Sequence, residues 1–199
     1  SDLNVITGLT VSEINETGSN VEVVGLNEHQ KTQSSTYDLV LIVVGVQPNN
    51  ELLVKVGAET GIAGAIEVDQ YMQTSLPDIW AAGDLVETRH HLLGETYLPL
   101  GTTAHKQGRV AGFNIAGIQR AFKGSLGTQV LKAFDLVVVR TGLLTSEAIQ
   151  AGFNPFTVTT DVDDHKAYFP GAQKIKIRIT GDQKSGRLLG VQLIGHYGS

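Results

Sequence analysis

The chain has 199 residues, of which 41% are hydrophobic and 18% charged, a globular composition with room for one large or two small domains. A formal net charge of −5 without a basic stripe argues against nucleic-acid binding, and no run of about 18 apolar residues offers a membrane span. With no cysteine, the chain can hold no disulfide, thiolate metal site or cysteine nucleophile, which fits a reducing, cytoplasmic setting.

The start, Ser1 to Asn4, has neither the basic nor the apolar region of a leader. Leu9–Ile14 alternates apolar and polar residues and predicts a half-buried strand. Thr17–Asn20 is turn chemistry, Val21–Val24 a second strand, and Asn27–Thr36 a polar loop. Leu39–Val44 is continuously apolar and rich in β-branched residues, which predicts a strand buried on both faces of a parallel sheet. It runs into Gly45, at the carboxyl end, where α/β proteins place ligands.

Ala65–Val68 and Ile79–Ala82 predict two further short strands, the second ending on Gly83-Asp84. Residues 86–99 lack periodicity and read as a loop. A helix follows over Thr102–Gly117, with Ala104, Gly108, Ala111 and Ile115 on a small-residue face. Ala121–Gly127 reads as a linker. Beyond it the pattern becomes α+β: a strand region over Gln129–Val139, a helix from Thr145-Ser146-Glu147 with a hydroxyl cap and an early acid, and a stop at Gly152. Lys174–Ile179 alternates strictly, turns at Gly181–Gly186, and returns as Arg187–Ile194, an antiparallel hairpin with one wet face. Both ends read as cut from a longer protein, with apolar strand faces exposed, so self-association is expected.

The chemistry concentrates in Thr74–Asp84. A strand feeds a glycine, which lets a ligand approach the backbone, and then an acid, which can accept hydrogen bonds from ligand hydroxyls. Taken alone, Asp84 suits a turn or a cap equally well. The six histidines show no His-Glu-x-x-His spacing, so no metal site is expected, and no Gly-x-Ser-x-Gly supports a hydrolase.

The pattern Thr-x-x-x-x-Ile-x-Ala-x-Gly-Asp, realised as Thr74 to Asp84, resembles the second flavin motif of the pyridine nucleotide–disulfide oxidoreductases. The resemblance implies that Asp84, preceded by Gly83, holds the ribityl chain of FAD. Tyr37–Asn49 resembles the strand and turn that close the NAD(P)H domain, with Gly45 passing the nicotinamide or serving only as a turn glycine. Leu98–Arg109 resembles the segment that meets the isoalloxazine ring, which implies FAD contacts at Leu100, Gly101, Thr102 and Thr103. Gly127–Val130 and Phe134 to Gly142 resemble the start of the dimerisation domain.

Tyr168–Gly171 resembles a stretch that the coenzyme A disulfide reductase and NADH oxidase branch places near the partner subunit's active site, so Tyr168 is either structural or substrate-proximal. The cations Lys174, Lys176 and Arg178 form an ordinary wet face or meet a coenzyme A phosphate.

The expected fold class is thus α/β, with parts of two dinucleotide-binding domains, followed by an α+β dimerisation domain. Residues 1–45 would complete the NAD(P)H domain, 46–122 form the C-terminal half of the FAD domain, and 123–199 begin the dimerisation domain of a homodimer. The implied reaction passes electrons from NAD(P)H through FAD to a disulfide, persulfide or dioxygen. No Gly-x-Gly-x-x-Gly loop occurs and no cysteine is present, so no catalytic residue is assigned and the isolated chain is expected to be inactive. A ferredoxin- or rubredoxin-reductase-type flavoenzyme and a flavin-free binding module are the alternatives.

Overall fold

The structure is a computed structural model that describes residues 4–198. Ser1 to Leu3, at the start of the chain, lie outside the described residues. The chain divides into two compact units, Ser1–Gly45 and Val46–Ser199.

The first unit is a three-stranded antiparallel meander, β1 (Leu9–Thr17), β2 (Asn20–Asn27) and β3 (Thr32–Tyr37), in the order β1-β2-β3. All but the last residue of the third strand lie within the segment that reads as a polar loop. Its polar residues Thr32–Thr36 hide the strand from hydrophobic periodicity, yet all six of its residues pair with β2. The run Leu39–Val44 forms no strand, contrary to expectation. It pairs with no described neighbour, and Leu41 and Val44 are 84% and 90% exposed. An apolar run is a strand only where adjoining strands take up its amides and carbonyls.

The second unit opens with a short helix, α1 (Glu51–Lys55). The segments around Ala65–Val68 and Ile79–Ala82 appear as bridges and not as full strands. They still make the interior: Ile66 pairs in parallel with Val86, and Ala58, Ile66, Ala81 and Val86 form one buried cluster. Residues 86–99 are no plain loop, because β4 (Thr88–His90) and β5 (Gly94–Thr96) make a hairpin there. Three-residue strands are too short to show a period.

Helix α2 spans Gly101–Ile115. Its buried face is Thr103, Gln107 and Ala111, while Gly108 and Ile115 are exposed. The face predicted from small residues is therefore rotated, because the contacts facing the interior are polar as well as apolar. Within the predicted linker, Phe122 is buried against Met72 and Ala111.

A five-stranded antiparallel sheet completes the unit: β6 (Gln129–Ala133), β7 (Leu136–Gly142), β8 (Pro155–Asp163), β9 (Lys174–Asp182) and β10 (Leu188–His196), ordered β6-β7-β10-β9-β8. Helix α3 (Thr145–Gln150) contacts β8. Its cap residue is Leu144, whose amide donates to Glu147 Oε2 at 2.7 Å. The early acid thus supplies the capping contact. The Thr145 hydroxyl is engaged elsewhere, with Thr157 and Thr180. On β9 the two lysines meet acids of β8 across the register, Lys174 with Asp163 at 2.7 Å and Lys176 with Asp161 at 2.8 Å. Those pairs are partly or fully exposed and contribute fractions of a kcal/mol each.

Candidate flavin site

The Thr74 side chain begins the site. Its hydroxyl donates to the Ile79 carbonyl at 3.0 Å and accepts from the Leu76 amide at 3.2 Å. It closes a loop in which Asp78 takes a positive φ of 59°. The chain leaves this loop at Ile79 with its direction fixed, and the Ala81 amide donates to the Met72 carbonyl. This is a physical reason for a threonine five residues ahead of an isoleucine in the motif.

Gly83 follows at φ 93°, a conformation that favours glycine. A side-chain carbon placed there would meet Ala104 of α2 at 3.6 Å, so the turn lies directly against the helix. The main chain of the turn is held at three points. The Gly83 amide donates to Gln107 Oε1 at 3.1 Å, the Gly83 carbonyl accepts from the Val86 amide at 3.1 Å, and the Asp84 carbonyl accepts from the Tyr97 hydroxyl at 2.8 Å.

The Asp84 carboxylate is exposed and makes no hydrogen bond or ion pair among the described residues. A fixed backbone carrying an unengaged acceptor at the end of a bridged, extended segment is suited to recognising ligand hydroxyls. Burial, and then the neighbouring Asp84 charge, push the Tyr97 phenol above its ordinary value, so it stays a protonated donor to the turn. Beside Tyr97 a groove is lined by Val46, Gln47, Pro48, Asn50 and Ala63.

Leu100 caps α2 in an extended conformation, and its side chain takes no part in capping. Gly101 and Thr102 are exposed at the helix start, where first-turn amides lack partners within the helix. Thr103 differs. It is 3% exposed, its hydroxyl lies 3.3 Å from that of Ser125 and its amide donates to the Leu100 carbonyl at 2.9 Å, so its side chain and its amide are both engaged within the protein.

The structure thus brings Gly83 and Asp84 together with the first turns of α2. It places Gly45, at φ 95°, in the other unit with no atom near its missing side chain. Tyr168 lies in the β8–β9 connection, 74% exposed, its ring 5.2 Å from that of Phe169 and 5.7 Å from Lys166 Nζ. Among the described residues no group of three or more His, Cys, Asp or Glu side chains could hold a metal ion, and no helix is long and apolar enough to cross a membrane.

Gln107 and Tyr97 are the residues that sequence reasoning missed. Gln107 lies on the predicted helix one position before Gly108, and a polar side chain within a small-residue stripe gives no sign that it is buried. Tyr97 precedes the helix in irregular sequence, and no local signal links it to Asp84.

Residues 1–108 match the pyridine nucleotide-disulphide oxidoreductase family, and the chain belongs to it. It is 40% identical over 159 residues to an NAD(P)H sulfur oxidoreductase (CoA-dependent) of Pyrococcus furiosus, an alignment covering 79% of this chain and 36% of that protein. An NADH oxidase of Methanocaldococcus jannaschii is 38% identical, with 79% and 35% covered. The solved structure of an NAD-dependent persulfide reductase from A. fulgidus superposes with a TM-score of 0.87 at 36% identity, over 98% of this chain and 36% of that one. The chain therefore spans about a third of the length of these relatives.

Proposed function

We propose that this chain is the part of an FAD-dependent NAD(P)H oxidoreductase that holds the flavin's polyol chain, and that the whole protein passes electrons from NAD(P)H to a persulfide, a disulfide or dioxygen. The observation that carries this reading is the Asp84 carboxylate, presented without an internal partner on a turn whose main chain is held at three points. The residues fit such a group. Asp84 would accept its hydroxyls, Gly83 would let it approach the backbone, and the main chain at Leu100, Gly101 and Thr102 would face the ring with free amides that favour negative charge, while Thr103, whose amide donates to the Leu100 carbonyl, would hold that turn. FAD, when bound, supplies the electron-transfer chemistry, and the protein orients it.

Gly45 is proposed to line the nicotinamide path, in keeping with the nicotinamide cofactors named for the relatives. Residues 1–45, 46–122 and 123–199 are read as parts of the NAD(P)H, FAD and dimerisation domains. The third would join a homodimer through its sheet, where Val130, Phe156 and Val158 are 69%, 46% and 54% exposed, and would carry Tyr168 towards the substrate of the partner subunit.

The experiment is an anaerobic titration of the full-length protein with NADH and with NADPH, followed by addition of coenzyme A persulfide, a disulfide or dioxygen. Bleaching of the flavin spectrum by one nucleotide and its return with one acceptor supports the reading and identifies both substrates. A flavin that neither nucleotide reduces overturns it.

A further inference from the structure

We infer that Gln107 is the positioning residue of the flavin site, acting through the Gly83 amide to set the direction in which Asp84 presents its carboxylate. The inference rests on the flavin reading above. Gln107 is 1% exposed on the inner face of α2. Its side-chain amide is used at both ends: Oε1 accepts from the Gly83 amide at 3.1 Å, and Nε2 donates to the Thr88 hydroxyl at 3.0 Å, itself 1% exposed on β4. The Gly83 bond fixes which end of the amide faces the turn, because only the oxygen can accept from a backbone N–H, and it leaves Nε2 to donate to Thr88.

At φ 93°, Gly83 takes an angle that glycine adopts freely, so the surrounding hydrogen bonds set the turn's orientation. Gln107 is the side chain that holds it from the helix side. The neighbouring bonds divide the labour. Thr103 and Ser125 share a hydroxyl contact, and Ser125 Oγ accepts from the Gly127 amide at 3.1 Å, which ties α2 to the segment entering the large sheet. Gln107 alone among the buried residues of α2 reaches the Gly83-Asp84 turn. A partly buried donor left without its acceptor is disfavoured, so without Gln107 the Gly83 amide would turn to find another partner and carry Asp84 with it.

The test uses the full-length protein, with FAD affinity and thermal stability measured separately on the apo and flavin-bound forms. Gln107→Met keeps the volume and removes both bonds. Gln107→Glu keeps an acceptor for Gly83 and can accept in turn from the Thr88 hydroxyl. Gln107→Met is expected to bind FAD roughly tenfold more weakly, with a larger fall in Tm for the flavin-bound form than for the apo form. Gln107→Glu is expected to restore affinity to within about threefold of wild type, as an acceptor-only role requires.

Equal falls in apo and flavin-bound Tm with unchanged FAD affinity in Gln107→Met would overturn the inference and leave Gln107 a packing residue. So would a Gln107→Glu variant as weak as Gln107→Met. Wild-type protein that binds no FAD would remove the flavin reading itself, a result distinct from either.

Discussion

Two stretches of this chain carry apolar residues into a glycine of positive φ, Leu39–Val44 into Gly45 and Ile79–Ala82 into Gly83. Their glycine angles agree to within a few degrees, 95° and 93°. Around Gly83, Ala81 is buried in a cluster with Ile66 and Val86, and the turn is bonded to Gln107, Val86 and Tyr97. Around Gly45 nothing lies within reach, and the run before it is open to solvent. Composition nominates a strand, and neighbouring backbone decides whether one forms. The Gly83-Asp84 turn has more again: side chains from other elements satisfy its main chain while the Asp84 carboxylate is left unengaged.

The largest contrast lies in side-chain truncation. Ile66 is fully buried, so Ile66→Ala should cost about 2–5 kcal/mol in urea unfolding of the chain. Val43, 79% exposed, should lose less than about 0.5 kcal/mol on the same change. A loss at Val43 as large as that at Ile66 would show that the run is packed in solution and would break the comparison.

A smaller contrast sharpens it. Gly83→Ala forces a side chain into a positive-φ conformation fixed by three bonds, and should cost about 1–2 kcal/mol. Gly45→Ala meets the same angle in a segment that can relax, so its Tm should stay close to that of the parent.

The buried region also carries a titrating group, and the apolar run carries none. His90 is 4% exposed on β4, and its Nδ1 accepts from the Leu92 amide at 3.2 Å. Burial lowers its pKa below the ordinary 6.5, opposed by a bond to the Leu126 backbone. The unfolded chain therefore binds the proton more readily than the folded one. Stability from this site is complete above about pH 6.5 and is lost as pH falls from there through the lower folded value. His90→Gln should flatten the dependence of Tm on pH across that window, and an unchanged slope would assign the pH response to other groups.

The same contrast explains what could be read from sequence alone. The Thr74–Asp84 motif was legible because each of its residues acts locally. Thr74 closes its own loop, Gly83 takes the angle, and Asp84 projects. The hairpin of β9 and β10 was legible because Lys174–Ile179 alternates with period two on a sheet whose cations meet acids across the strands. What escaped depends on distant partners. The β3 strand pairs polar residues, and β4 and β5 are three residues each. The buried face of α2 is set by Gly83, Thr88 and Ser125, which lie 24, 19 and 22 positions from their partners on the helix. Periodicity records a side chain's hydrophobicity, and Gln107 and Thr103 are buried for their hydrogen bonds.

The proposed role of the unengaged Asp84 carboxylate is to hold a flavin. Its most direct test is FAD titration of the deflavinated full-length protein alongside its Asp84→Ala variant, with apo-protein Tm measured in parallel. At least about tenfold weaker FAD binding is expected in the variant, the scale of a lost hydrogen bond to a charged group, with an unchanged apo Tm because that carboxylate has no internal partner. Equal FAD affinity in the two proteins, or a folded wild type that takes up no FAD, would contradict it.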